Sequence, residues 1–161
     1  FHLKIIPKSL SIIGCGVIGI EYASMFAKLG VEVTIIDGRS RPLEFLDSEI
    51  LDELIKQMEK IGVIFKLNEN VKEIEVVKDD KRIVLIHLKS GKKVLSELAI
   101  LCAGRMGSTG NLNLKKINVN TDEHGRIIVD KNFCSSQKNI LLQEMLLDFL
   151  AWQQHHLNKV G

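Results

Sequence analysis

The apolar positions of this 161-residue chain fall into two textures. Ser9 to Ile13 is a short apolar run that stops at a glycine, the pattern of a strand buried on both faces of a parallel sheet. A glycine-rich turn follows, from Gly14 through Cys15, Gly16, Val17 and Ile18 to Gly19. Ile20 to Leu29 carries Tyr22, Phe26 and Leu29 at helical spacing, and Gly30 supplies a C-terminal stop. Val31 to Ile36 is a second apolar strand that ends on Asp37. Strand, tight turn, helix and strand make one βαβ unit. Asp47 is placed to cap a second helix whose stripe is Leu51, Leu54, Ile55 and Met58. Lys60-Ile61-Gly62 closes that helix, and Val63 to Leu67 predicts a third strand.

From Lys72 onward the period changes. Ile74 to Val76, Ile83 to Leu88 and Lys93 to Leu95 predict antiparallel strands, with turns at Asp79-Asp80 and Ser90-Gly91. Leu98 to Leu101 predicts another buried strand, leading into Ala103-Gly104-Arg105. A last short strand is expected at Ile127 to Val129, after a polar turn over Asp122 to Gly125. The expected fold class is therefore α/β: a Rossmann-like parallel sheet whose crossover is an antiparallel three-stranded meander.

Composition narrows the function classes. A net charge of +2 from 22 basic and 20 acidic residues, interleaved along the chain, does not suggest a nucleic-acid partner. No apolar run approaches the roughly 18 residues of a membrane span, and Phe1 to Leu10 does not read as a signal peptide. Cys15, Cys102 and Cys134 are too far apart for metal or redox pairs, and Cys15 and Cys102 read as small buried residues. A reducing, cytoplasmic location fits that usage. The five histidines form no triad or metal-ligand spacing, and no metal is expected.

The glycine turn carries the candidate chemistry. Gly14 permits a tight turn out of the strand, Gly16 lets a pyrophosphate approach the backbone, and Gly19 lets helix and strand pack closely. The helix N-terminus then offers unpaired N–H groups to phosphate. Asp37 follows Gly19 at about the 20-residue spacing at which a carboxylate accepts from the ribose of NAD. Its charge favours NAD(H). Arg39 and Arg41 come next, either as solvated loop charges or as ligands that admit NADP(H). Glu21 is expected in the first helical turn, where its charge suits the dipole.

With Glu21, the turn reads GxGxxGxE and resembles that of the pyridine nucleotide–disulfide oxidoreductase family, over about Pro7 to Ile140. The resemblance implies the NAD(P)-binding domain of a two-dinucleotide flavoprotein, at residues 9–140, with 1–8 as interdomain segment. It implies that Glu21 faces the nicotinamide, Asp37 the adenosine ribose, and Val71 the adenine through its backbone. Ala103-Gly104-Arg105 is similar to the family's second glycine motif, whose glycine approaches the cofactor. Gly107, where the lipoamide and glutathione reductase branches carry Pro, gives a closer likeness to the soluble transhydrogenase branch, with the dihydrolipoamide dehydrogenase branch next. His87 to Lys93 and Phe45-Leu46-Asp47 point the same way. Such enzymes are homodimers that pass hydride from NADPH through FAD to NAD. The resemblance implies that FAD belongs to the full-length protein, so that these 161 residues alone are not catalytic.

Residues 141–161 depart from the family. Read one base out of register, with synonymous codons chosen freely, the tail from Leu142 can spell Gly-Asp-Val-Ile-Gly-Phe-Pro-Gly-Leu-Ala-Thr-Ala-Ser-Phe-Glu-Gln-Gly-Arg. That string resembles the family's flavin-binding segment, which implies one base lost, or two gained, near Ile140. Leu146, Leu147, Phe149, Leu150 and Trp152 would then be an apolar segment not selected for this fold, expected to dock on the domain or to pair two chains.

Overall fold

The computed structural model describes residues 3, 5–78 and 82–142, and the chain divides into two compact units, 1–104 and 105–161. In the first unit, strands β1 (Ser9–Ile13), β2 (Glu32–Ile36), β3 (Ile64–Lys66) and β7 (Leu98–Leu101) form a parallel sheet of order β3-β2-β1-β7. Strands β4 (Val71–Lys78), β5 (Arg82–Leu88) and β6 (Lys93–Ser96) make a separate antiparallel sheet that carries the chain from β3 across to β7. The expected fold class is what forms.

Alternation along β1 explains the layering. Leu10 and Ile12 turn to one face, where they pack with Ile20, Ala23 and Phe26 of helix α1 (Val17–Lys28) and Leu51 and Met58 of helix α2 (Ser48–Lys60). Ile13 turns to the other face with Ile36, against Ile86, Leu88 and Val94 of the meander. Each fully buried aliphatic side chain contributes about 1.5–3 kcal/mol, so this two-sided burial sets the sheet register.

Both helices end by the same device. Val31 N–H donates to Phe26 O and Gly30 N–H to Ala27 O, and Val63 and Gly62 repeat the pattern on Met58 and Glu59. Gly30 and Gly62 have φ of +84° and +93°, the left-handed residue this Schellman geometry requires. The predicted stops at Gly30 and Gly62 are thus correct. The Asp47 carboxylate accepts from Glu49 N–H at 2.9 Å, as its capping role predicts.

Two expectations need correction. The first helix starts at Val17 rather than Ile20, because Gly16 is already its N-cap. Glu21 therefore lies in the second turn, beyond the strongest part of the dipole. The final strand at Ile127 to Val129 does not form: Thr121–Ile127 and Val129–Ser135 are isolated bridges, each too short to extend into a ladder. In that second unit Val119, Ile127 and Leu142 make a small core of their own. The turn at Asp79-Asp80 and the apolar tail from Gln143 lie outside the described residues.

Candidate dinucleotide site

The C-terminal ends of the parallel strands converge on one groove of about 450 Å³, where open α/β sheets place their ligands. β1 contributes Ile13, Gly14 and Gly16. β2 contributes Ile36, Asp37, Gly38 and Arg39. The entry to β4 contributes Glu69, Asn70 and Val71, and the end of β7 contributes Cys102, Ala103 and Gly104.

The glycines of the first turn do three different jobs. Gly14 has φ +107°, and a Cβ there would run into the carbonyl of Cys102. A Cβ on Gly19 would collide with the Gly14 carbonyl, so helix and turn touch through these two residues. Gly16 is unlike both: its φ of −73° suits any residue, and a Cβ would meet nothing within 4 Å. Packing does not explain a glycine at 16; as the N-cap of α1 with no side chain, it leaves the backbone open to close approach from the groove. Gly104 also opens onto free space, with φ +114°. The first turn of α1 has no side-chain cap and no acidic residue, so its N–H dipoles face the groove uncompensated. These residues fit a dinucleotide.

Asp37 is held in place by backbone. Its own N–H donates to Lys66 O, its carbonyl accepts from Glu69 N–H, and Arg39 O accepts from Asn68 N–H, lacing the loop after β2 to the loop after β3. Its Oδ2 accepts from Cys15 N–H at 2.7 Å and from Arg39 Nη2 at 2.8 Å. Its Oδ1 accepts from Arg39 N–H at 2.8 Å and from Arg39 Nε at 3.0 Å. Burial alone would raise this carboxyl, but the Arg39 guanidinium and the two N–H donors hold it well below the usual carboxylate range. Under the pair lies Cys15, fully buried, its thiol pushed up to about 12 by burial first and the neighbouring carboxylate second.

The structure thus brings Gly14, Gly16, Asp37, Arg39, Val71, Ala103 and Gly104 to one groove. Cys15 and Gly19 support it from behind, and Val17 and Ile18 are exposed in the first turn of α1. Glu21 is exposed and does not line it. Arg41 points elsewhere, pairing with Asp52 of α2 beside a second cavity of about 260 Å³. The sequence reading missed Gly38, Glu69 and Asn70. A Cβ on Gly38 would stand 2.5 Å from Asn70 Oδ1, so this glycine makes room for the asparagine. The signal was the Asp37-Gly38 pair itself, a glycine directly after the strand-ending acid.

A family profile described as pyridine nucleotide-disulphide oxidoreductase matches residues 1–142. The chain belongs to that family. Soluble pyridine nucleotide transhydrogenase of Ectopseudomonas mendocina is 42% identical over 134 residues, 83% of this chain and 28% of the relative. The enzyme of the same name from Pseudomonas aeruginosa is 41% identical over 146 residues, 91% of this chain and 30% of the relative. The chain therefore spans less than a third of these curated relatives. Among solved structures, the HOCl-induced flavoprotein disulfide reductase RclA of Escherichia coli superposes with a TM-score of 0.80 at 28% identity, over 97% of this chain and 36% of that one. The water-forming NADH oxidase of Lactobacillus brevis, solved bound to NADH, gives 0.68 at 29% identity, over 84% of this chain and 29% of that one. The family is one of oxidoreductases using flavin and pyridine nucleotide. No helix of the described residues is long and apolar enough to cross a membrane, and the described residues contain no cluster of three or more His, Cys, Asp or Glu placed to hold a metal ion.

Proposed function

We propose that residues 9–140 are the NAD(P)(H)-binding domain of an FAD-dependent soluble pyridine nucleotide transhydrogenase. The observation that carries the reading is the groove itself: two glycines with open space where a side chain would be, an uncapped helix N-terminus, and a carboxylate at the end of the second strand. Relatives about 40% identical support the transhydrogenase branch, and the NADH-bound oxidase supports the ligand class. On this reading Gly14, Gly16 and the first N–H groups of α1 bind the pyrophosphate, Asp37 orients the adenosine ribose, and Val71 meets the adenine. Ala103 and Gly104 border the nicotinamide half, and Glu21 faces it only if the cofactor reaches past the second turn of α1. Flavin, when bound in the whole homodimeric protein, supplies the hydride relay from NADPH to NAD. The 161 residues alone bind the dinucleotide without turnover.

Titration of the purified chain with NADH, followed by nicotinamide fluorescence, tests the binding claim. Failure to bind NADH or NADPH at millimolar concentration would sink it. A flavoprotein disulfide reductase is the second reading, favoured by the fit to RclA along nearly the whole chain. Assays of the full-length gene product separate the two: transfer of hydride from NADPH to an NAD analogue supports the first, and NAD(P)H-dependent reduction of a disulfide without that transfer supports the second.

We also propose that residues 141–161 are translated out of the frame of the preceding domain. What supports this is the shifted-frame string itself, which runs to the last residue, Gly161. Coding DNA that is continuous with the domain and whose shifted codons fail to spell the flavin-binding string would overturn this.

A further inference from the structure

Asn70 lines the groove on a backbone that is fixed from both sides. Its carbonyl accepts from Lys89 N–H at 2.8 Å, at the turn between β5 and β6, and the N–H of Glu69 before it donates to Asp37 O at 3.0 Å. Val71 after it opens β4 and pairs with Leu88. The carboxamide itself lies against Gly38, in the space that a Cβ there would need, and so stands beside the acid that ends β2. It is exposed, and among the described residues neither its Oδ1 nor its Nδ2 has a hydrogen-bond partner. The charged groups around it are engaged. Arg39 covers Asp37, and Lys92 Nζ donates to the Glu69 carboxylate at 2.7 Å. Asn70 thus offers this side of the groove an unused donor next to an unused acceptor.

We infer that Asn70 reads the base of the dinucleotide, pairing its carboxamide with the N6 and N7 edge of adenine, and so makes the groove selective for adenine over 6-oxopurines. The inference rests on the dinucleotide reading above. That reading sets the adenosine ribose on Asp37, which brings the base bonded to this ribose to the side of Gly38 and Asn70. On the chosen edge the N6 amino group donates and N7 accepts, and a primary amide answers both at once. Hypoxanthine and guanine carry a carbonyl at position 6, so the same edge presents two acceptors and one of the two bonds becomes a repulsion. An apolar flank such as Val71 accepts any purine, whereas the carboxamide chooses among them. Because the backbone of Asn70 is already fixed, little further ordering opposes the pair.

The test uses the full 161-residue chain and two ligands that differ only at position 6 of the base, NADH and reduced nicotinamide hypoxanthine dinucleotide. Both are titrated by nicotinamide fluorescence. The unsubstituted chain should bind NADH about five- to thirty-fold more tightly, the lower part of the discrimination that a bidentate amide–base pair gives, because the site is open to water. Asn70→Leu keeps the bulk over Gly38 and removes both polar atoms, and Asn70→Ala removes the side chain. In each, the ratio of the two affinities should fall to within about two-fold of unity, chiefly through weaker NADH binding. The ratio decides, since a merely structural role for Asn70 would weaken both dinucleotides alike and leave it unchanged. Equal or tighter binding of the hypoxanthine dinucleotide by the unsubstituted chain overturns the inference, as does a preference for NADH that survives in either variant. Binding of neither ligand by the unsubstituted chain overturns instead the reading on which the inference rests.

Discussion

Cys15 N–H donates to Asp37 Oδ2 at 2.7 Å, joining the turn after β1 to the end of β2 across 22 positions of sequence. The parallel register puts these residues together: Ile13 pairs with Ile36, so the residues that follow both strands emerge side by side. The same bond fixes the glycine turn and aims the acid that ends β2, which makes the carboxylate part of the fold as well as of the candidate site.

That dual role gives Asp37 a pH signature. Its folded-state pKa lies below its unfolded value, so the stability it supplies is fully present above about pH 4 and is lost as pH falls through the folded value. Asp37→Asn should cost about 1.5–3 kcal/mol near neutral pH, the range for hydrogen bonds to a charged group. Urea unfolding at pH 7 and pH 3 checks the sign. The gap between parent and variant should narrow in acid, and a gap that widens there contradicts the assignment.

The three glycines of the turn predict two phenotypes. Gly19→Ala drives a methyl into the Gly14 carbonyl, and Gly14→Ala drives one into the Cys102 carbonyl at a strained φ. Both should lower the melting temperature by several degrees, at roughly 1–3 kcal/mol for an overpacked contact. Gly16→Ala meets no atom and should cost only what a weaker N-cap costs, up to about 1 kcal/mol, yet its methyl stands where the pyrophosphate would approach. Lost NADH binding with the smallest change in melting of the three is the expected result for Gly16→Ala alone. Unimpaired NADH binding in that variant would place the phosphates elsewhere.

Much of this was legible in the sequence, for reasons that differ by residue. The apolar run at Ser9–Ile13 is buried through Leu10, Ser11 and Ile12, and an uninterrupted run has few other uses; Leu98–Leu101 forms its strand too, but only Ile100 is buried and Leu101 is exposed. Gly30 and Gly62 showed the helix ends because the left-handed C′ position strongly favours glycine. Glu21 was set one turn too early, since the turn sequence does not say that Gly16 already caps the helix. The strand expected at Ile127 needed a partner ladder that the neighbouring chain does not supply. The grip of Arg39 on Asp37 could not be read, because the sequence places a guanidinium near a carboxylate without telling which acceptor it will choose. At Gly107 the departure from proline has a local cause. Its N–H donates to His124 O at 2.8 Å and a Cβ would collide with Gly125 O, so proline at this position is excluded twice.

The buried thiol in the glycine turn should be chemically quiet. Cys15 has no exposed surface, and its thiol, pushed up to about 12 by burial and then by Asp37, stays protonated at ordinary pH. Thiolate is the nucleophile, so iodoacetamide at pH 8 should modify Cys134 on native protein while sparing Cys15. Peptide mass mapping reads the order of labelling. Early labelling of Cys15 would mean that the turn opens more readily than its hydrogen bonds allow.

Ser11 sits at the centre of β1, 1% exposed, and its hydroxyl has no hydrogen-bond partner. It pairs with Thr34 on one side and Ala99 on the other, on the face turned to the meander, so a polar group is buried where its neighbours offer it no bond. Burying a hydroxyl unpaired costs about 1–3 kcal/mol, and removing it returns that cost at the loss of a few contacts. Ser11→Ala should therefore be neutral or stabilising by up to about 1 kcal/mol, against the usual direction for a change in the middle of a buried strand. Chemical denaturation of the full chain measures it, with Leu10→Ala as the contrasting neighbour at about 2–5 kcal/mol destabilising. If Ser11→Ala falls by more than about 1.5 kcal/mol, beyond the usual net worth of one hydrogen bond, the hydroxyl has a bonding partner between the two sheets and the packing argument at this position fails.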